Sequence, residues 1–141
     1  MHKYDVKYYN NLIDLVTLYG LKGHVIFSEP FNPPVLHKLM TYSFATLSFY
    51  EFSNLGNVMI EASLAGSFII TIRDGSTDFL IENDVTGLAL PLTGDYVSSI
   101  AHQIIQYSAN EVRTKKIRQN LKKRADEFFL TWEKRYNNEI E

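Results

Sequence analysis

The amino-acid sequence predicts an α/β protein in which helices cover both faces of a parallel sheet. Short β-branched runs alternate with helix-like segments along most of the 141 residues. Several of those runs are apolar without interruption, which is typical of strands buried on both faces. The composition is that of a globular protein, with 45% hydrophobic residues and a formal net charge of −2. That charge favours no polyanionic partner, and we expect one domain over residues 1–141.

The first third of the chain predicts two helices with a strand between them. Apolar residues recur at helical spacing over residues 8–19, and Gly20 ends that segment. A short buried strand is expected at residues 25–27. Pro34 suits the first turn of the next helix, and a second strand is expected at residues 44–49.

Residues 52–72 are the most informative stretch of the sequence. They predict a polar loop, a helix over residues 56–65, a stop at Gly66 and a strand over residues 68–72. Ser53 or Asn54 can cap the helix. Because the helix is apolar nearly all round, we expect it to be buried on most sides. Its apolar residues are Val58, Met59, Ile60, Ala62, Leu64 and Ala65.

Glu61 is the only charged residue of that stretch. One interpretation places it on a solvated face of the helix. The other starts from its apolar neighbours, because a buried carboxylate needs partners. Free backbone N–H groups and the helix dipole make the N-terminus near Gly56 a natural anion site. We therefore predict that this N-terminus and Glu61, one turn in, hold a phosphate and a diol of one ligand.

The second half of the chain continues the alternation. A turn at residues 74–78 leads into a short helix over residues 78–81, and a turn at residues 83–87 leads into a strand at residues 88–90. Two amphipathic helices follow, marked by apolar residues from Val97 to Ile104 and from Val112 to Phe128. A last helical segment is expected at residues 132–140.

Residues 56–62, followed by Gly66 and the strand, resemble the donor-binding signature of retaining glycosyltransferases with two Rossmann-like domains, the GT-B fold. More narrowly, they resemble the glycosyltransferase group 1 family. The resemblance extends from about Tyr8 to Ile140. It implies a partial Rossmann-like sheet, half of a GT-B domain. It also implies an enzyme that uses a nucleoside-diphosphate sugar as substrate and needs no cofactor.

The resemblance also implies the site residues. Glu61 matches the second of two family glutamates and would bind the ribose hydroxyls. Ser53 occupies the place of the first glutamate, which contacts the transferred sugar, so sugar binding is open. Glu51 could substitute only if the loop is reshaped. Backbone N–H groups would hold the sugar and diphosphate, and no catalytic residue is assigned. The donor-binding residues are then Ser53, Asn54, Leu55, Gly56, Asn57 and Glu61.

Two parts of the family pattern are missing from this chain. The family's C-terminal domain opens with two further strands and a basic residue that contacts the donor phosphates, and a separate N-terminal domain supplies the acceptor site. We therefore expect an N-terminally truncated domain that is inactive alone. Its partner would be an N-terminal Rossmann domain on another chain or a further copy of itself. The missing strands would lie between residues 25–27 and 44–49, so a monomer exposes strand edges or pairs these two directly.

A second function stays open beside sugar transfer from a nucleotide sugar to a hydroxyl acceptor. The chain could be a non-catalytic nucleotide-binding or subunit-interaction module. The seven basic residues between Arg113 and Arg124 are expected on a solvated helix face, with a weak contact to anionic lipid or nucleic acid as the alternative.

Metal and membrane functions find no support in the sequence. The chain has no cysteine and its four histidines are scattered, so no metal site is expected. With no signal peptide and no apolar run long enough to span a membrane, we expect a cytoplasmic protein.

Overall fold

The computed structural model describes residues 6–49, 56–73, 75–91 and 96–129. The chain divides into two compact units, Met1–Phe31 and Asn32–Glu141. The predicted helical segment at residues 132–140 lies outside the described residues.

The described residues of the first unit contain one helix, α1 (Val6–Leu18), none of whose residues is buried. The strand predicted at residues 25–27 is wrong. The N–H groups of His24 and Val25 both donate to the carbonyl oxygen of Leu21, at 2.9 and 3.2 Å, and Gly23 has φ +84°. The left-handed glycine folds the chain back on itself, so Val25 makes only an isolated bridge to Lys22.

The second unit is the α/β structure that the sequence predicts. Asn32 caps its first helix by accepting from the N–H of Val35 at 3.1 Å, and prolines occupy the first helical positions. The described elements in chain order are α2 (Pro33–Tyr42), β1 (Thr46–Ser48), α3 (Asn57–Leu64), β2 (Ile69–Ile72), β3 (Leu88–Leu90), α4 (Tyr96–Ser108) and α5 (Glu111–Phe128).

The three strands form one parallel sheet in the order β1-β2-β3. Thr46 pairs with Ile69, and Ile70 pairs with Leu88. The central strand β2 is buried along its whole length, which agrees with its uninterrupted β-branched sequence. Within the described ranges β1 pairs with β2 alone, and Leu47 of β1 is half exposed.

Helices cover both faces of the sheet, as predicted. On one face Ile69 packs in a core with residues from α2, α3 and α5, among them Met40, Met59 and Leu121. On the other face Ile70 packs with Tyr107 of α4 and with residues from neighbouring elements. Because successive side chains of a strand point to opposite faces, β2 supplies both cores.

The short helix predicted at residues 78–81 is wrong. The N–H groups of Leu80 and Ile81 donate to the carbonyl oxygen of Thr77, which forms a single turn. A continuing helix would take the next N–H, that of Glu82, but the hydroxyl of Thr86 accepts it at 2.8 Å. A side-chain acceptor from the following loop therefore ends the turn.

The predicted turn at residues 83–87 leads into β3, as expected. Asn83 accepts the N–H of Ala89 at 3.2 Å, and Asp84 has φ +68°. A Cβ at Gly87 would lie 2.9 Å from the carbonyl oxygen of Ile69, so the close approach of this turn to β2 requires glycine.

Candidate functional site

The carboxyl ends of all three strands lie at the same edge of the sheet because the strands are parallel. Helix α3 follows β1, Arg73 follows β2, and α4 follows β3. Ligands of open parallel α/β sheets bind in the crevice outside this edge. The candidate site is therefore the carboxyl edge, which we define by the N-terminus of α3, by Arg73 and by the turn of residues 75–78.

Among the described residues, no side chain caps the N-terminus of α3. Gly56 occupies the N-cap position with φ −76° and ψ 156°, and its carbonyl oxygen accepts from Met59 at 2.9 Å. Gly56, rather than Ser53 or Asn54, occupies the N-cap position, and it has no side chain. The first N–H groups of a helix, here those of Asn57 and Val58, have no intrahelical acceptor. Ser53, Asn54 and Leu55 lie outside the described residues.

Helix α3 has one exposed stripe on an otherwise largely buried surface. Met59, Ala62 and Ser63 are buried, whereas Asn57 and Glu61 are exposed. The expectation of burial on most sides is confirmed, because α3 packs against α2, α5 and β2 and leaves only one stripe exposed. Residues four apart share a helix face, so Asn57 and Glu61 lie on the same exposed stripe.

The Glu61 carboxylate makes no hydrogen bond or ion pair within the part of the chain that the structure describes. Its exposure agrees with the solvated-face interpretation and removes the argument that burial demands a partner. The same exposure leaves the carboxylate accessible to a ligand at the N-terminus of α3, one helical turn away.

Backbone and side-chain hydrogen bonds stabilise the C-terminus of α3. Gly66 adopts φ +68°, its N–H donates to Ser63 at 3.0 Å, and the N–H of Ser67 donates to Ala62 at 2.9 Å. This pair of bonds is a Schellman motif and confirms the predicted stop at Gly66. From α5, the Arg118 guanidinium donates to the Gly66 carbonyl oxygen at 2.7 Å. The rigid far end of α3 fixes the direction of its N-terminus.

Arg73 is a residue that the sequence reasoning missed. It follows β2 directly, its N–H donates to the carbonyl oxygen of Leu90 at 2.7 Å, and its side chain is 65% exposed. Its guanidinium forms an ion pair with Asp78 at 3.3 Å. Arg73 is the only lysine or arginine between residues 39 and 112, a signal that was available in the sequence.

Two further residues of the turn depart from expectation. Asp78 was expected in the first turn of a helix, but it lies in the non-helical turn and pairs with Arg73. Thr77 is 2% exposed, and its hydroxyl has no hydrogen-bond partner among the described residues. An unpaired buried hydroxyl is costly, so it calls for an explanation.

The basic run of α5 is mostly engaged within the chain. Arg113 contacts Asp84, Arg118 contacts backbone carbonyls, Lys122 donates to Leu64 at 3.1 Å, and Arg124 pairs with Glu82 at 2.8 Å. The expectation of a merely solvated face is therefore wrong for these four residues. Cations near helix C-termini are favourable, which accounts for Arg118 and Lys122.

A cavity of about 620 Å³ lies beside α5, at the end of α3 opposite to the carboxyl edge, and Lys115, Arg118 and Lys122 are among its lining residues. Two of these three cations already bind carbonyl oxygens. We therefore interpret the cavity as a gap in the packing around α5 and not as part of the ligand site.

A polar cluster joins α4, α5 and the turn before β3. The Tyr107 hydroxyl and the Arg113 guanidinium both donate to the Asp84 carboxylate, and the guanidinium lies 4.8 Å from the centre of the Tyr107 ring. Burial, and then the Asp84 carboxylate, raise the pKa of Tyr107 to about 12. The cluster holds the turn in place and faces no cleft of the carboxyl edge.

Among the described residues, no group of three or more potential metal ligands comes together. None of the described helices is both long enough and apolar enough to cross a membrane.

Comparisons with known proteins show the fold. No protein-family model matches the sequence, and no curated protein does. Among solved structures, the chain is similar to the crystal structure of Anabaena Alr3699/HepE in complex with UDP-glucose, with a TM-score of 0.70 and 22% sequence identity. The match covers 87% of this chain and 33% of that chain. The chain therefore spans about a third of the length of this structural neighbour and shares its α/β fold over that part.

Proposed function

We propose that the chain is the donor-binding part of a glycosyltransferase and holds a nucleoside-diphosphate sugar at the carboxyl edge. The N–H groups of Gly56 and Asn57 meet the diphosphate, and Glu61 accepts hydrogen bonds from the ribose hydroxyls. One observation carries this proposal. A helix N-terminus whose N-cap residue, Gly56, has no side chain and an exposed carboxylate one turn further lie on one helix, at the edge where parallel sheets bind ligands.

The energetics agree with an anionic ligand at this place. Each backbone N–H bonded to a charged group contributes about 1.5–3 kcal/mol, and the helix dipole adds roughly 0.3–1 kcal/mol. The carboxylate would repel a phosphate placed beside it, but it accepts hydroxyl donors well. The arrangement therefore selects a ligand with a phosphate at one end and a diol one turn away.

The structural neighbour supports the class of ligand, since it was crystallised with UDP-glucose. The sequence resemblance to group 1 glycosyltransferases supports the reaction, transfer of the sugar to a hydroxyl acceptor. In that reaction the helix N-terminus stabilises the departing diphosphate, and the remaining contribution is positioning.

The acceptor site in this proposal belongs to a partner, a Rossmann-like domain on another chain or a second copy of this chain. We expect no sugar transfer by the chain alone. An assay for UDP release from UDP-glucose, with the isolated protein and simple hydroxyl acceptors, should give the uncatalysed rate. Turnover by the isolated chain would contradict this requirement for a partner.

The second candidate is a module that binds a nucleotide or another subunit without catalysing transfer. Ser53 in place of the family's glutamate favours it, as does the half-exposed Leu47 on a strand whose outer edge has no described partner. Nucleotide binding combined with a lack of transfer when partner candidates are added would favour this module.

Calorimetric titration with UDP, GDP and their sugars tests the proposed function. Wild-type protein should bind at least one of them, and Glu61→Ala should weaken that binding by tenfold or more, about 1.4 kcal/mol or above. Because Glu61 is exposed, the melting temperature should stay unchanged. Glu127→Ala, at an exposed glutamate of α5, is the matched control and should bind like the wild type. Absence of heat with every nucleotide would exclude the proposal.

A further inference from the structure

The single cation of the carboxyl edge has a fixed place in the fold. Arg73 is the first residue after the central strand, and its N–H bond to Leu90 anchors its backbone between the ends of β2 and β3. Its side chain extends into solvent, and no other lysine or arginine occurs from residue 39 to residue 112. Arg73 is therefore the basic residue of this region that can bind an anion at the carboxyl edge.

The Arg73 guanidinium is bound only weakly by Asp78, the carboxylate that would compete with a ligand phosphate. Both Nε and Nη2 of Arg73 lie 3.3 Å from the same oxygen of Asp78, and both side chains are substantially exposed. Exposed pairs of this kind contribute little to stability. A phosphate offers more negative charge and several acceptor oxygens in the geometry that a guanidinium fork prefers. Exchange of the Asp78 carboxylate for a phosphate is therefore favourable.

The same turn contains the unpaired hydroxyl of Thr77. Leu80 and Ile81, which follow it, belong to the same hydrophobic core as Met59 from the first turn of α3. Among the described buried side-chain oxygens and nitrogens, this hydroxyl alone has no partner. It is an independent indication that a polar group is still to be bound here.

We propose that Arg73 and Thr77 form the phosphate-recognition part of the carboxyl edge, with Arg73 passing from Asp78 to a phosphate of the ligand. When Arg73 and Asp78 separate, the Thr77 hydroxyl gains the phosphate as its hydrogen-bond partner. This proposal rests on the proposed function, because it names the residues that read the diphosphate of the same ligand.

Titration of variants with UDP and with uridine tests it. Arg73→Gln should weaken UDP binding about tenfold or more, the size expected for the loss of a charged hydrogen bond. Affinity for uridine should stay the same, because uridine has no phosphate.

Asp78→Asn should tighten UDP binding, because it removes the competing carboxylate. Thr77→Val should weaken UDP binding a few-fold without lowering the melting temperature, because the replaced hydroxyl has no partner in the free protein.

Two variants serve as matched controls. Arg124→Gln removes an arginine of α5 that forms an ion pair with Glu82. This variant should leave UDP affinity unchanged. Thr86→Val replaces a buried hydroxyl that donates to Leu80 at 2.9 Å and accepts from Glu82 at 2.8 Å. It should lower the melting temperature and leave UDP affinity unchanged, the reverse of Thr77→Val.

The proposal is overturned if Arg73→Gln or Thr77→Val keeps wild-type affinity for UDP, or if Arg73→Gln weakens uridine binding equally. Its failure can be told apart from failure of the proposed function. Wild-type binding that depends on Glu61 but not on Arg73 refutes this inference alone, whereas a wild-type protein that binds no nucleotide refutes both.

Discussion

At the scale of single residues, Glu61 shows which properties of a side chain a sequence pattern can predict. Its apolar neighbours indicated burial, and burial would have required a partner. The structure instead places it on an exposed stripe with Asn57. The position of the carboxylate, one turn from an uncapped N-terminus, was predictable from helix periodicity. Its exposure was not, because it depends on which side of α3 meets the sheet.

Tyr107 gives a prediction about pH. Its folded pKa of about 12 lies above the ordinary tyrosine value of 10.0, chiefly because of burial. The contribution of a group with a raised pKa is fully present below the unfolded pKa and is lost as the pH rises through the folded pKa. We therefore expect the free energy of unfolding to fall between pH 10 and pH 12 more steeply in the wild type than in Tyr107→Phe.

Urea unfolding of both proteins at pH 9, 10 and 11 measures this difference, and the phenylalanine variant controls for the other groups that titrate in this range. Parallel pH profiles of the wild type and the variant would show that Tyr107 titrates alike in the folded and unfolded states.

At the scale of elements, α5 organises the packing of its neighbours through its basic side chains. Arg118 donates to Gly66, which ends α3, and to Thr41 and Ser43, which end α2. One guanidinium thus satisfies carbonyl groups at two helix C-termini, where positive charge is favourable. The sequence showed a basic helix face but could not show which backbone atoms it would meet.

Arg118→Met should lower the free energy of unfolding by about 2 kcal/mol, because it keeps the aliphatic stem but leaves carbonyl oxygens unpaired. Chemical denaturation measures the loss. Lys115→Met, at an exposed position that makes no hydrogen bond among the described residues, is the control and should change stability by less than about 0.5 kcal/mol. Equal effects of the two substitutions would refute the role given to Arg118.

The elements that were wrongly predicted share one physical cause. The apolar residues 25–27 have the composition of a strand, but the left-handed Gly23 turns the chain before it can extend. Residues 78–81 have helical character, but the Thr86 hydroxyl takes the N–H that a second turn would need. Both outcomes depend on hydrogen bonds with nearby residues, which outweigh propensity in short segments. The longer helices α1, α2, α4 and α5 were predicted, because hydrophobic periodicity over several turns outweighs such local contacts.

At the scale of the molecule, burial differs sharply between the two compact units. All four residues of β2 are buried, whereas α1 has no buried residue. A helix of 13 residues with no buried residue is marginally stable in water. The parallel sheet was predictable because its strands are apolar without interruption. The poor burial of α1 was not, because its apolar spacing is that of an ordinary packed helix.

Hydrogen exchange should therefore show a wide range of protection. We expect the amides of β2 to exchange only through global unfolding and those of α1 to exchange through local opening, several orders of magnitude faster. Mass spectrometry of exchanged peptides, or NMR of single amides, makes this measurement. Protection of α1 equal to that of β2 would contradict the burial on which the prediction depends.

The most direct test of the central claim is the mapping of UDP contacts by amide chemical shifts in the ¹⁵N-labelled protein. Binding at the carboxyl edge predicts shifts at Gly56, Asn57 and Glu61 and in the turn from Arg73 to Asp78, with little change along α5. Shifts confined to Lys115, Arg118 and Lys122, or no shifts at millimolar UDP, would contradict a nucleotide site at the N-terminus of α3.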